Sequence, residues 1–210
     1  MTFTTFENLP DEKKKLILST GIKEFANKSY KEVSTDDLTK KCGISKGILF
    51  HYFGSKKQFY LYCLEKAMER LTEKTEEMVS DDFYDIVFST MNSKMALCIE
   101  HRNEMLMANM STRDTNGETA CGKAEIMAKY MVAVKAESAA TLQRAVSVLN
   151  LKNPTDARII SQGLHLYTNA VINKYLLLYQ NTPEKFFENS ENIKIEMKTY
   201  LDLMLYGICE

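Results

Sequence analysis

Apolar residues recur three and four apart along most of this chain, the spacing of helices with one buried face. Ile17, Gly21 and Phe25, with Leu18 and Ile22 beside them, predict a helix that Pro10-Asp11-Glu12 opens. Leu49 and Phe53 lie four apart in a short helix after Ser45, preceded by another over about residues 34–42. From Ser55, the residues Phe59, Cys63, Leu64, Met68 and Leu71 carry a longer helix to about Val79, and Ser80-Asp81-Asp82 reads as a break and cap. Helices are predicted over 83–101 and 102–110, the polar run STRDTNGETACG (111–122) as a loop, and a long helix over about 123–151. Asn153-Pro154 and Thr182-Pro183-Glu184 each place a cap before a first-turn proline and predict the starts of the last two helices. In these, Ile160, Leu164, Tyr167, Val171, Tyr175 and Leu178 form one stripe, and Ile193, Met197, Tyr200, Met204 and Ile208 another. Gly163 beside the first permits close approach, and both stripes fit either the chain's own body or a second copy. Residues 1–9 read as a poorly ordered arm. The expectation is an all-α chain of about nine helices.

The stretch STDDLTKKCGISKGILFHYFGSKK (34–57) carries the most specific local chemistry. Ser34 caps a helix whose third residue, Asp37, can complete a capping box. Gly43 suits the left-handed residue that ends a helix, Ile44 pins the turn, and Ser45 caps again. Two short capped helices around a glycine turn outline a helix-turn-helix, in which the second helix enters the major groove. With Leu49 and Phe53 buried, Lys46, Ile48, His51 and Tyr52 point outward. Ser55 then caps a third helix whose free amides, with Lys56 beside them, form a phosphate site.

The run GISKGILFHYFGSK, preceded by Asp37-Leu38 and by a helix ending Phe25-Ala26, resembles the DNA-binding domain of the TetR family of bacterial transcriptional regulators over about residues 12–60. It departs from the usual pattern at Ile48, Phe50 and Gly54. The resemblance implies a homodimer built through the final two helices and an inducer pocket inside the body. It places Ile160, Gly163, Leu164, Tyr167, Val171, Met197, Tyr200 and Met204 in the dimer interface. The expected organisation is an arm and DNA-binding domain (1–54), a connecting helix (55–79) and an effector-binding and dimerisation domain (80–210).

Charge agrees with that division. Residues 1–60 hold 11 Lys against seven Asp plus Glu, a net +4, while the rest carries −5. A basic head on an acidic body fits phosphate binding. Lys46, Gly47 and Ile48 are the expected base contacts, Ile48 on a thymine methyl; Ser34, Thr35, Ser45, His51, Tyr52 and Lys56 are the expected phosphate contacts. His51 and Tyr52 fit packing within the head as well. Two subunits would read an inverted repeat in double-stranded DNA, in grooves about 34–36 Å apart.

Seven of the 12 methionines fall between Met91 and Met131. Methionine adapts to irregular shapes, so Met91, Met95, Met105, Met127 and Met131 are candidates to line a cavity for a small apolar ligand, with His165 and Asn169 as orienting groups; His101 and Asn173 are further polar residues of the body. Ordinary core filling accounts for the same methionines. The five cysteines have no metal-ligand spacing and read as reduced thiols. No apolar run approaches a membrane span. No cofactor and no metal is implied, and a soluble, cytoplasmic protein is expected. Three histidines, no phosphate loop and no nucleophile elbow argue against an enzyme. The alternatives are a helix-turn-helix protein acting through a protein partner and a helical enzyme without a recognisable motif.

Overall fold

A computed structural model of the chain describes residues 3–74, 79–153 and 156–206. Among these are eleven helices, so the all-α expectation holds and the number is larger than nine. They are α1 (Thr4–Glu7), α2 (Asp11–Asn27), α3 (Thr35–Lys41), α4 (Lys46–Phe53), α5 (Lys56–Leu71), α6 (Phe83–Glu100), α7 (Arg102–Arg113), α8 (Gly117–Ser147), α9 (Ala157–Leu178), α10 (Glu184–Glu188) and α11 (Ser190–Tyr206).

Packing divides the chain into two compact units. The first joins residues 1–73 to 100–131, and the second joins 74–99 to 132–210. These units cut across the linear order expected from the sequence, because α7 packs over α2 and α5.

In the first unit, Ile17, Ile22 and Phe25 of α2 meet Leu38 of α3, Leu49 and Phe53 of α4, and Phe59 and Leu64 of α5 in one core that also takes in Met107 and Tyr130. Each such side chain removed from water contributes about 1.5–3 kcal/mol. Gly21 is a point of close approach: a Cβ there would stand 2.5 Å from Phe59 Cζ and 2.7 Å from Cys63 Sγ. Arg70 of α5 also pairs with the buried Glu104 of α7 at 2.8 Å.

Three expectations are corrected in this unit. The amino-terminal arm is folded from Phe3 onward: Phe6 is fully buried, with ring centres 4.8 Å from Phe53 and 5.5 Å from Tyr62, and the Tyr62 hydroxyl donates to Glu7. The helix from Ser55 ends at Leu71, where the Thr72 hydroxyl donates to the Met68 carbonyl; 75–78 lie outside the described residues. The polar run 111–122 is mostly helical, because Asp114 and Asn116 close a three-residue turn by accepting from the amides of Asn116 and Glu118, both at 2.9 Å. The long helix therefore begins at Gly117. Gly122, which read as loop, is a packing position whose Cβ would stand 2.5 Å from Leu61 Cδ1.

In the second unit, Phe83, Ile86 and Val87 of α6 pack with Leu142, Ala145 and Val146 of α8, Leu164 of α9 and Leu201 of α11. Val171, Ile193 and Met197 form a smaller cluster with Phe88, Met91 and Tyr167 against it. Lys94 of α6 pairs with Glu137 at 3.1 Å, and Lys174 of α9 with Glu196 of α11 at 2.8 Å. α9 begins at Ala157 rather than directly after Asn153; Pro154 is outside the described residues, as are Ile208 and Cys209. Pro183 opens only the short α10, since Asn189 turns its side-chain amide back onto the Lys185 carbonyl, and α11 starts afresh at Ser190.

Candidate nucleic-acid interface

Three serines set the geometry of the head. The hydroxyl oxygen of Ser34 accepts from the Asp37 amide at 3.3 Å, that of Ser45 from Ile48 at 3.2 Å, and that of Ser55 from Gln58 at 3.1 Å. A cap uses a lone pair and leaves the hydroxyl proton to donate, so Ser34 and Ser45 keep a donor for a phosphate. Gly43 and Gly54 end the two short helices at φ 64° and 73°, a region L side chains adopt only with strain.

Helix α4 is two-sided. Leu49 and Phe53 are fully buried behind it, while Lys46, Gly47, Ile48 and His51 are exposed, Ile48 at 39% of its surface. A Cβ on Gly47 would meet nothing nearer than Ser45 Oγ at 3.9 Å, so no internal neighbour explains the missing side chain. Tyr52 is half-buried, its ring edge-on to Phe6 at 6.0 Å.

Lys46 and Asp36 join the start of α4 to the start of α3. The ammonium lies 3.1 Å from one carboxylate oxygen and 3.3 Å from the other. This contact groups Ser34, Thr35, Ser45, Lys46, Gly47 and Ile48 in one neighbourhood, with His51 a turn further along α4. Sequence reasoning missed Asp36, because an acid in a first turn reads as an ordinary favourable helix start.

Lys56 is placed differently from expectation. It is half-buried, donates to the Tyr30 carbonyl at 2.5 Å and lies 4.5 Å from the centre of the Tyr30 ring. Burial pushes this ammonium below the usual lysine range, with Glu118 opposing the shift. Tyr30 is tied down twice more: its amide donates to Asp114 Oδ2 at 2.7 Å and its hydroxyl to Glu118 at 3.0 Å. The turn before α8 thereby clasps the link that leads into the helix-turn-helix. Lys123, itself buried, braces that turn by donating to the carbonyls of Ser111 and Asp114.

The candidate effector residues fall in separate units. Met105, Met127 and Met131 belong to the first, and Met91, Met95, His165 and Asn169 to the second. Asn169 Nδ2 lies 2.9 Å from His165 Nε2, and Ser138 Oγ lies 3.4 Å from Nδ1. The Tyr167 hydroxyl is buried with no hydrogen-bond partner among the described residues, and burial pushes the phenol up to about 12.

The candidate interface stripe is largely internal. Leu164, Val171 and Met197 are buried within the second unit, Ile160, Tyr167 and Met204 pack against its core, and Gly163 is half-buried; Tyr200 is exposed, its ring 5.7 Å from that of Tyr167. The uncovered apolar side of α9 is instead Ile159, Leu166 and Leu177, seven and eleven residues apart, with Ile195 and Leu203 exposed on α11.

No described helix is long and apolar enough to cross a membrane, and among the described residues no three His, Cys, Asp or Glu are grouped to hold a metal.

A capped helix-turn-helix with an exposed outer face and a fully buried inner one is an arrangement that can lie in the major groove of DNA. Residues 17–63 match the family described as bacterial regulatory proteins, tetR family. It is 41% identical over 64 residues to the uncharacterized HTH-type transcriptional regulator YuxN of Bacillus subtilis strain 168; the match covers 29% of this chain and 22% of YuxN, so the chain spans about a fifth of that relative. The fold is that of a tetR-family transcriptional regulator from Streptomyces coelicolor, at 16% identity and a TM-score of 0.63 over 94% of this chain and 82% of that one. NalD of Pseudomonas aeruginosa, described as the secondary repressor of the MexAB-OprM multidrug efflux pump, shares it at 16% identity and 0.53 over 95% and 98%.

Proposed function

We propose that this chain is a transcriptional regulator that acts as a homodimer, a repressor released from a palindromic operator by a small apolar effector. The observation that carries the reading is the two-sidedness of α4: Lys46, Gly47, Ile48 and His51 face outward from a helix anchored by Leu49 and Phe53. Lys46, Gly47 and Ile48 approach base edges, and Ser34, Thr35, Ser45, His51 and Tyr52 hold phosphates. Lys56 acts from behind, by fixing the Tyr30 link. The second copy docks on the uncovered side of α9 with Ile195 and Leu203. The unpartnered Tyr167 hydroxyl, in the same apolar cluster as Met91 and Phe88, gives an effector in the second unit a polar anchor. An effector with unequal affinity for the DNA-competent and incompetent states shifts their populations and relieves repression. Repression is also the role given for NalD.

The test is selection of the purified protein against a random duplex library, with Lys46→Gln, Tyr52→Ala run beside it. An enriched inverted repeat that the variant fails to hold supports the reading. No enrichment at low salt by folded, dimeric protein overturns it and favours a protein partner.

A further inference from the structure

We propose that Asp36 is a specificity-determining residue of the DNA-binding head, holding the Lys46 ammonium so that it serves base edges and gains little from phosphate alone. The inference rests on the DNA-binding reading above. Lys46 is the first residue of α4 and Asp36 stands in the first turn of α3, with Lys46 48% and Asp36 74% exposed, so the pair lies on the surface and not in the core. The cap of α3 is served by Ser34 and does not involve the Asp36 carboxylate.

An acid on a surface that meets a polyanion opposes binding to every sequence. What it does to Lys46 depends on the contact. A phosphate on the paired ammonium stands beside the Asp36 carboxylate and is repelled by it, so it gains the full charge of Lys46 only when the pair opens and leaves a bare carboxylate among phosphates. That phosphate releases a counterion while the freed carboxylate gathers one, so the exchange yields little ion release. A guanine edge is neutral and presents two acceptors, and an ammonium has three donors. Lys46 can therefore bond a guanine while Asp36 keeps its hold. The pair taxes the phosphate contact, which is common to all sequences, and spares the base contact.

The experiment measures affinity across a salt series for wild type, Asp36→Asn, Lys46→Gln and the double variant. The probes are a short duplex carrying the selected repeat and a scrambled duplex of the same composition. Asp36→Asn should hold the scrambled duplex roughly two- to fivefold more tightly at low salt, the range of an exposed ion pair. Its salt slope on that duplex should steepen by about 0.9 per head, the increment for neutralising one further phosphate. The ratio of repeat to scrambled affinity should fall, and the double variant should behave as Lys46→Gln. Asp36→Ser, which also removes the charge from a first-turn position, should repeat the result if the asparagine variant melts early. A wild type that discriminates, beside folded neutral variants of unchanged slope and ratio, overturns this inference alone. A wild type that holds neither duplex overturns the DNA-binding reading itself and this inference with it.

Discussion

The hydroxyl of Tyr30 donates to Glu118 Oε1 at 3.0 Å, across 88 residues of sequence. Burial first, and this hydrogen bond second, push the phenol up to about 12, whereas unfolded tyrosines ionise near 10. The folded chain thus holds the proton more tightly than the unfolded one. The stabilisation is complete below pH 10 and is lost as pH rises to about 12. Urea midpoints should decline through that window. Tyr30→Phe should flatten part of the decline, the remainder belonging to Tyr60 and Tyr62, which burial also raises. An unchanged decline in the variant would mean that the Tyr30 phenol titrates as in water.

The same substitution at two helical glycines should have opposite signs. Gly47→Ala meets open space and should stabilise the fold by up to about 0.5–1 kcal/mol, yet weaken operator binding if backbone and DNA approach closely there. Gly21→Ala presses on Phe59 and Cys63, both fully buried, and should cost roughly 1–3 kcal/mol. Denaturant unfolding of both, with binding assays on the first, checks the pair.

Phe6→Ala should destabilise the chain by about 3–5 kcal/mol, a core-sized loss from a residue near the amino terminus. A cost within about 0.5 kcal/mol, the range of surface substitutions, would mean that the first turn is not packed beneath α4.

Leu166→Glu and Leu203→Glu, on side chains 72% and 67% exposed, should give folded monomers in sedimentation experiments. Leu164→Ala, in the core, should instead lower stability by roughly 2–5 kcal/mol. Intact dimers of both glutamate variants would move the proposed interface elsewhere.

The helix-turn-helix was legible because its signals are local: Ser34, Gly43, Ser45 and Ser55 act within a turn of their own position. What escaped was tertiary. Nothing near Phe3 and Phe6 announces the aromatic cluster of Phe53 and Tyr62 that holds them. Gly122 read as loop because its partner, Leu61, is 61 residues away. Lys56 read as a phosphate ligand because Ser55 is a true cap, but the Tyr30 carbonyl that claims its ammonium lies in another segment. On α9, apolar residues occupy more than one side, so periodicity alone could not say whether Leu164 or Leu166 faces inward.

The discontinuous first unit bears on how such a head can be recombined. A single crossover after Glu73 would transfer the reading helices without Met107 and Tyr130, which complete their core, and without the Asp114 turn that fastens Tyr30. A chimera that exchanges this head between relatives therefore has two inheritable blocks to carry, residues 1–73 and 100–131. A drift in either one must be matched in the other.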